Sequence, residues 1–279
     1  MRKNILILLT LLLFSGVKFS RGAEEIDTLS RPVIGYYNLE MGGRKILATY
    51  LSPFSYTGKG FGASGYWTKM MPWDPERLAM NFDARINYGE LLNPAHSARE
   101  LEFSVSFDWG LEWKKRLPHN LMLGVGGVVG VYGGAVYLPR NGNNPVSARF
   151  AMGIGATADL GWHIRIGRLP ILVSDRVMLP LLGGFFSPQY GETFYEIYLG
   201  NHAGLAHFGW PGNRFGIDNL LSVTLDFGRT SMLLGYRFAM QNQQVNHLVD
   251  RTFYNAFVIG VVPGGIGLKK NRKENSPLY

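Results

Sequence analysis

Apolar and polar residues alternate one by one over segments that are long for a soluble protein. Between Leu101 and Trp113 every odd position is apolar and every even position is polar or glycine. Successive side chains of a β-strand point to opposite faces, so this segment predicts a strand with one wholly apolar face. It is longer than the roughly five or six residues of an ordinary strand.

The alternation recurs along most of the chain, with Pro-, Gly- and Asn-rich turn signals about every 20 residues. Four more clear strands are predicted near 77–88, 149–166, 215–227 and 231–241. Weaker strands are predicted near 44–57, 59–70, 119–137, 170–186, 192–208 and 252–262, and 33–41 can supply another. Because single-chain bacterial barrels favour even strand numbers, the pattern predicts an antiparallel β-barrel of about twelve strands, with ten to fourteen allowed.

Alternation by itself does not say which face points outward, and a secreted soluble β-barrel is the alternative. Two features favour an apolar exterior, as in a transmembrane β-barrel: the strands are long enough to cross a bilayer, and the polar face mixes both charge signs with small residues. A third is the grouping of aromatic residues near predicted strand ends, as in membrane-interface girdles. The grouped pairs are Trp109 with Trp113, Tyr132 with Tyr137, and Tyr195 with Tyr198.

In a transmembrane barrel the polar face lines the lumen. Arginine binds carboxylates through two parallel hydrogen bonds, so charges of both signs can pair across the lumen. A barrel of about twelve strands is narrower than the 16-stranded porins, so such a network predicts a narrow or filled lumen. The predicted lumen network consists of Arg77, Asp83, Arg85, Glu102, Asp108, Arg149, Asp159, Arg165, Asp226 and Arg237.

The first residues have the layout of a secretory signal peptide. Arg2 and Lys3 precede an apolar run from Ile5 to Phe14, which is too short to span a bilayer. We therefore predict a signal peptide over 1–22, a barrel over 23–265, and a basic tail over 266–279 that is expected to be disordered. An uncleaved N-terminal anchor is the alternative.

The excess of positive charge lies at the two ends of the chain. Of the formal net charge of +8, the segment before residue 23 carries +4, and residues 269–274 carry another +3. A nucleic-acid-binding patch would lie in the folded body, so we expect no nucleic-acid partner. The chain has no cysteine, which excludes disulfides, thiolate metal sites and a lipid-modified N-terminal cysteine.

Three segments resemble a known family. They are 50–58 (YLSPFSYTG), 140–145 (RNGNNP) and 180–197 (PLLGGFFSPQYGETFYEI). Together they are similar, in matching order, to a domain-of-unknown-function family of exported Bacteroidota proteins. The resemblance implies an outer-membrane β-barrel and brings no catalytic residues. One departure from barrels in general is the basic tail, since many barrels end on a strand with a terminal aromatic residue.

Catalytic motifs were sought and not found. Segments 140–150 and 187–196 are similar to two segments of outer-membrane phospholipases, whose base and nucleophile form a His-x-Ser pair on one strand face. In that alignment Leu138 and Arg140 occupy the two positions, and neither can do the chemistry. We therefore expect no enzymatic activity, no metal and no cofactor.

The sequence leaves three functions open for an exported outer-membrane barrel. They are a narrow or filled-lumen pore or envelope structural barrel, a binding or assembly barrel that uses its loops, and a lipid-modifying enzyme. The expected partners are outer-membrane lipid and, during insertion, the barrel-assembly machinery.

The predicted processing can be tested on protein isolated from membranes. N-terminal sequencing of the outer-membrane fraction should return a chain that begins at Ala23, because Ser20 and Gly22 supply the small residues that a signal peptidase reads. Recovery of a chain that begins at Met1 in the inner membrane would show an uncleaved anchor instead.

Overall fold

The computed structural model describes residues 31–266 and 277–278. The predicted signal peptide lies outside the described residues, and so does most of the predicted basic tail. The described part contains eleven strands and one short helix, α1 (Phe194–Tyr198). The strands are β1 (Ile34–Ala48), β2 (Tyr56–Met71), β3 (Asp74–Leu92), β4 (Arg99–Leu117), β5 (Leu121–Tyr137), β6 (Val146–Ile166), β7 (Leu169–Phe186), β8 (Ala206–Gly209), β9 (Arg214–Asp226), β10 (Thr230–Val245) and β11 (Leu248–Pro263).

The strands form one closed antiparallel sheet. Each strand pairs with the next from β1 to β7, and β9, β10 and β11 continue the sheet until β11 pairs with β1. β8 and β9 both pair with β7, so they are two parts of one interrupted strand. The predicted transmembrane β-barrel is confirmed: ten strands close it and β8 adds a short eleventh, within the ten to fourteen allowed.

The two ends of the barrel differ in the length of their connections. At the end we call the base, which holds Ile34 and Pro263, short turns join the strands. At the other end, which we call the mouth, the loops 49–55, 93–98, 138–145 and 187–205 are longer. This asymmetry is typical of outer-membrane barrels, whose short turns face the periplasm.

The barrel is apolar outside and polar inside. On neighbouring strands, Leu39 and Phe257 are 70% and 72% exposed, whereas Glu102 and Arg237 are 1% and 3% exposed. An apolar surface of this extent around a closed sheet requires a lipid environment, which excludes the soluble barrel. No helix in the described part of the chain is long and apolar enough to cross a membrane.

Two of the strand predictions are wrong: the division of β1 into two strands, and the strand at 192–208 near the mouth. Residues 33–41 and 44–57 were expected to be separate strands, but β1 runs unbroken to Ala48. Gly42 is not a turn: a side chain there would collide with the Asn255 carbonyl of β11, so the glycine permits close strand packing.

The predicted strand at 192–208 is instead α1 followed by the short β8. A capping box starts the helix: the Glu196 amide donates to Thr193 Oγ1 at 3.1 Å, and the Thr193 amide donates to the Glu196 carboxylate at 2.7 Å. These bonds lower the pKa of Glu196 below its usual value.

Part of the aromatic argument also fails. Tyr132 faces the interior, where it lines a cavity, and Tyr195 and Tyr198 lie on α1 rather than at a strand end. Trp109 and Trp113 do face outward, since they are 46% and 43% exposed. The apolar exterior therefore rests on the strand alternation and not on these tyrosines.

The face assignment on β4 predicts a difference between two substitutions. Val105→Arg places a charge on the lipid side and should destabilise the folded barrel by about 2–4 kcal/mol. Asp108→Leu changes a side chain that lines the interior and should be milder. Urea unfolding in lipid vesicles measures both, and equal folding of Val105→Arg and wild type would refute the assignment.

Candidate functional site

The interior of the barrel is the candidate site, because it gathers arginines and carboxylates from nearly every strand. In the first group, which we call the central cluster, Arg85 of β3 donates to Asp218 of β9 at 2.5 Å. These two strands stand on opposite sides of the ten-stranded barrel. Arg237 donates to the second oxygen of Asp218 at 2.6 Å and lies 3.2 Å from Glu40. The central cluster therefore ties opposite walls together.

The upper cluster lies toward the mouth. Arg149 of β6 binds Asp250 of β11 through two hydrogen bonds, of 2.7 Å from Nε and 2.5 Å from Nη2. Arg44 of β1 pairs with Glu102 of β4, and its guanidinium lies over the Tyr254 ring at 4.3 Å from the centroid. Both pairs join strands that are not neighbours, so they also cross the lumen.

The lower cluster lies toward the base. The Arg176 guanidinium of β7 sits 3.3 Å from the centroid of the Tyr66 ring of β2, on the opposite wall, and 3.7 Å from the Asp159 carboxylate. Close by, Lys114 pairs with Glu112 at 3.2 Å. Cation–π and ion pairs both gain strength where water is excluded, so this cluster is a third connection between walls.

An apolar floor closes the base end of the interior. Its members are buried side chains from several strands, together with residues that follow β11. They are Ile34, Tyr36, Tyr66, Leu172, Leu220, Leu233, Val258, Val262, Ile266 and Leu278. Ile266 and Leu278 belong to the segment predicted as a disordered tail, yet they are 0% and 8% exposed.

Loops that contact one another close the mouth. The Tyr50 hydroxyl donates to the Glu192 carbonyl at 2.7 Å, and its ring packs edge-on against Phe194 of α1. On the other side, Asn141 donates to the Leu51 carbonyl at 2.9 Å. Burial and the nearby Glu192 and Glu196 carboxylates raise the pKa of Tyr50, which keeps it a neutral donor.

Between the floor and the mouth loops the described interior contains several small cavities. One has a volume of about 120 Å³ and is lined by Arg44, Arg85, Asp108 and Arg214 among others. Two more measure about 60 and 30 Å³ and lie beside the lower cluster. Salt-bridged side chains, among them Arg85 and Asp218, line these cavities.

The structure places most of the predicted lumen residues inside the barrel, but not all of them in the clusters. Arg77 and Arg165 are at strand positions whose side chains point into the barrel, but both are exposed near the ends of β3 and β6. Asp226 is buried at the β9–β10 turn, where it accepts hydrogen bonds from Ser231 and the Gly228 amide. The interior residues are Asp83, Arg85, Glu102, Asp108, Arg149, Asp159 and Arg237.

Several cluster residues were absent from the predicted network: Glu40, Arg44, Arg176 and Asp250. The alternation of Asn38, Glu40 and Arg44 with outward apolar residues in β1 could have found two of them, had 33–41 and 44–57 not been predicted as separate strands. Nothing in the sequence marks Asp250 as the partner of Arg149.

The interior offers little that resembles a catalytic centre. Within the described ranges, no group of three or more histidine, aspartate or glutamate side chains is placed to hold a metal ion. His163 is buried at the lower end, and His207 contacts the Ser187 carbonyl at 3.1 Å in the mouth loops. The arrangement is a set of structural ion pairs.

The model of one protein family, described as "Protein of unknown function (DUF3316)", matches residues 5–272. The chain belongs to this family. The resemblance to a domain-of-unknown-function family is thereby confirmed. No curated protein sequence matches the chain at a significant level.

Solved structures match the chain at low sequence identity. The transport unit of the autotransporter AIDA-I from Escherichia coli has a TM-score of 0.43 and 7% identity, and the match covers 92% of this chain and 97% of that chain. The outer membrane protease OmpT from Escherichia coli has a TM-score of 0.43 and 8% identity, with coverages of 82% and 96%. The β-domain of the Bordetella autotransporter BrkA has a TM-score of 0.43 and 9% identity, with coverages of 83% and 99%. These similarities assign no activity to the chain.

The central cluster predicts an unequal response to the loss of two carboxylates. Asp218→Asn leaves two buried arginines without their shared partner and should lower the free energy of unfolding by about 3–5 kcal/mol. The matched control is Glu90→Gln in the exposed Glu90–Arg99 pair, at 3.1 Å, which should cost about 0–1 kcal/mol. Urea unfolding in vesicles measures both, and similar losses would show that the central pair contributes no more than a surface pair.

Proposed function

We propose that the protein is an outer-membrane barrel with a filled lumen, which serves as a structural or binding barrel of the envelope rather than as a general diffusion pore. The observation that carries this proposal is the set of connections across the interior: Arg85 to Asp218, Arg149 to Asp250, and Arg176 over Tyr66. Each joins strands that are far apart around the barrel.

The energetics of these contacts support a lumen that stays filled. Removing one partner from a buried ion pair leaves an unpaired charge in a poorly solvated space. Opening a path through the clusters therefore costs free energy. The apolar floor adds a second obstruction at the base. A solute would have to disturb both, which a passive pore does not require.

The outer membrane is the compartment that fits this barrel. An apolar exterior, short turns at the base and longer loops at the mouth are the features of barrels inserted there by the barrel-assembly machinery. We place the base in the periplasm and the mouth outside the cell. This placement depends on removal of the predicted signal peptide over 1–22.

A binding role for the mouth loops is the second candidate. In the loop between β7 and β8, Tyr190, Tyr195 and Tyr198 are 73%, 68% and 84% exposed. Exposed tyrosines on an anchored loop are common at protein interaction sites, because they provide large contact areas with little loss of conformational freedom.

The filled lumen predicts small or absent conductance in planar bilayers. A triple variant, Arg85→Ala, Arg237→Ala and Tyr66→Ala, should conduct more than wild type, because it removes the central ion pairs and one of the large side chains of the floor. The control is Arg77→Ala with Arg165→Ala, which changes exposed arginines and should leave conductance at the wild-type level.

Large, stable, porin-like channels from the wild-type protein would refute the filled lumen and would make general diffusion the leading function. Electrophoretic mobility before and after heating checks that each variant is folded before its conductance is measured.

A further inference from the structure

The barrel wall has a break between β7 and β9. Their pairing runs from Ile171↔Leu225 to Met178↔Asp218 and stops there. Pairing along β7 resumes only at Gly183, with β8 instead of β9. In the described pairings, Leu179–Leu182 of β7 and the first residues of β9 therefore have no ladder partner across this seam.

The residues at the break fit an interruption of the ladder. Pro180 has no backbone N–H to donate, and proline in a sheet is confined to edges and bulges. The register between β6 and β7 also shifts at Gly155, opposite Pro180. Across the seam the Pro180 ring lies close to Gly216 of β9, where an added Cβ would be 3.0 Å from Pro180 Cγ.

The break lies within the lipid-facing surface. Leu181 and Leu182 on one side and Phe215 on the other are 40%, 44% and 41% exposed. Unpaired backbone groups facing hydrocarbon are costly, so a membrane barrel ordinarily keeps its ladder complete. Retaining a break here calls for something that occupies or uses it.

The interior behind the break holds charged groups of both signs: Arg44, Arg85, Arg149 and Arg214, together with the carboxylates of Glu102, Asp108, Asp218 and Asp250. Both the 120 Å³ cavity and an adjoining cavity of about 30 Å³ are lined by Pro180, Gly216 and Arg214. The smaller one is also lined by Arg149 from inside and by the outward-facing Phe150 and Phe215. It therefore borders residues of both faces of the wall.

Two arginines at these cavities are the candidate contacts for an anion. The Arg149 side chain is 7% exposed, and its Nη1 makes no hydrogen bond in the described part of the protein but lies 3.9 Å from a Glu102 carboxylate oxygen. No carboxylate of the described residues lies within 4.0 Å of the Arg214 guanidinium. Since buried charges are ordinarily paired, the site is suited to an additional anion.

We propose that the break between β7 and β9 is a lateral entrance from the membrane, through which the barrel binds an acyl-chain amphiphile by its anionic headgroup. The carboxylate or phosphate contacts Arg214 and the free donor of Arg149. The chain remains in the seam beside Pro180 and Gly216, against Leu181 and Phe215.

The size and chemistry of the site determine this ligand class. A cavity of about 120 Å³ accommodates a headgroup or a few methylene groups, and a whole lipid does not fit in it. The seam is apolar outside, and inside it Arg214 has no carboxylate partner among the described residues, so a ligand with one apolar and one anionic end matches both parts. A small inorganic anion would leave the apolar seam unused.

Binding of radiolabelled oleate to the full barrel in a neutral detergent tests the headgroup site. Arg214→Gln should weaken oleate binding roughly tenfold or more, because a charge-assisted hydrogen bond is lost. Arg165→Gln, at an exposed arginine near the base, is the matched control and should bind as wild type does. Oleyl alcohol and inorganic phosphate should compete poorly.

Competition with phosphatidylglycerol separates the two sources of the anion. Stronger competition than by unlabelled oleate identifies a phospholipid, and weaker competition identifies a free fatty acid. Either result supports the site. Absence of saturable binding for both, equal affinity in Arg214→Gln, or equal competition by oleyl alcohol would overturn it.

A cross-link tests the entrance, since the chain contains no native cysteine. Extending the β7–β9 register places Leu181 opposite Phe215, so Leu181→Cys with Phe215→Cys should close the seam on oxidation, or with a short bis-maleimide if the sulfurs do not meet. Oleate uptake should fall when the link forms and return on reduction of the disulfide, each compared with the same double variant before oxidation. Unchanged uptake by protein with a verified link would refute lateral entry.

Discussion

Charge inside a lipid-embedded wall is the constraint on which this barrel depends. The exterior must be apolar to contact lipid, so period-2 alternation directs the polar residues into a space with little room for water. A charge in such a space needs a partner. Arginine is long and planar enough to reach a carboxylate on another wall, and Arg85 does so when it crosses from β3 to Asp218 on β9. Pairing of charges thereby becomes a connection between walls.

The proposal of a filled lumen rests on those connections. A ten-stranded barrel would enclose more space than side chains of ordinary size fill, but guanidinium groups anchored at both ends occupy it. What remains includes small cavities beside the ion pairs. The floor around Leu233 and the loop contact between Tyr50 and Glu192 then close the two ends. The rigidity of the interior suits a structural or binding barrel.

The fold could be predicted where the alternation of apolar and polar residues alone decides it. In β4 the lipid and lumen environments impose strict alternation, and the predicted faces of Asp108 and Trp109 match the structure. The alternation did not predict that β1 continues through Gly42. A glycine needed for close packing of β1 and β11 has the same appearance in sequence as one in a turn. The alternation fails again at α1, where a local capping box at Thr193 overrides the strand tendency of aromatic residues.

The partners inside the lumen could not be predicted, since they depend on closure. Parity says that Arg149 points inward, but only the curvature and shear of the closed sheet bring it to Asp250, five strands farther along the chain. The break at Pro180 is harder still: a proline in a strand suggests an edge or a bulge, and a closed barrel has no edge. The interrupted strand of β8 and β9 resolves this conflict, because it leaves β7 a local edge within a closed wall. That edge lies between the exposed leucines Leu181 and Leu182 outside and a cavity lined by Arg149 and Arg214 inside, so this irregularity of the wall separates lipid from charged groups of the interior.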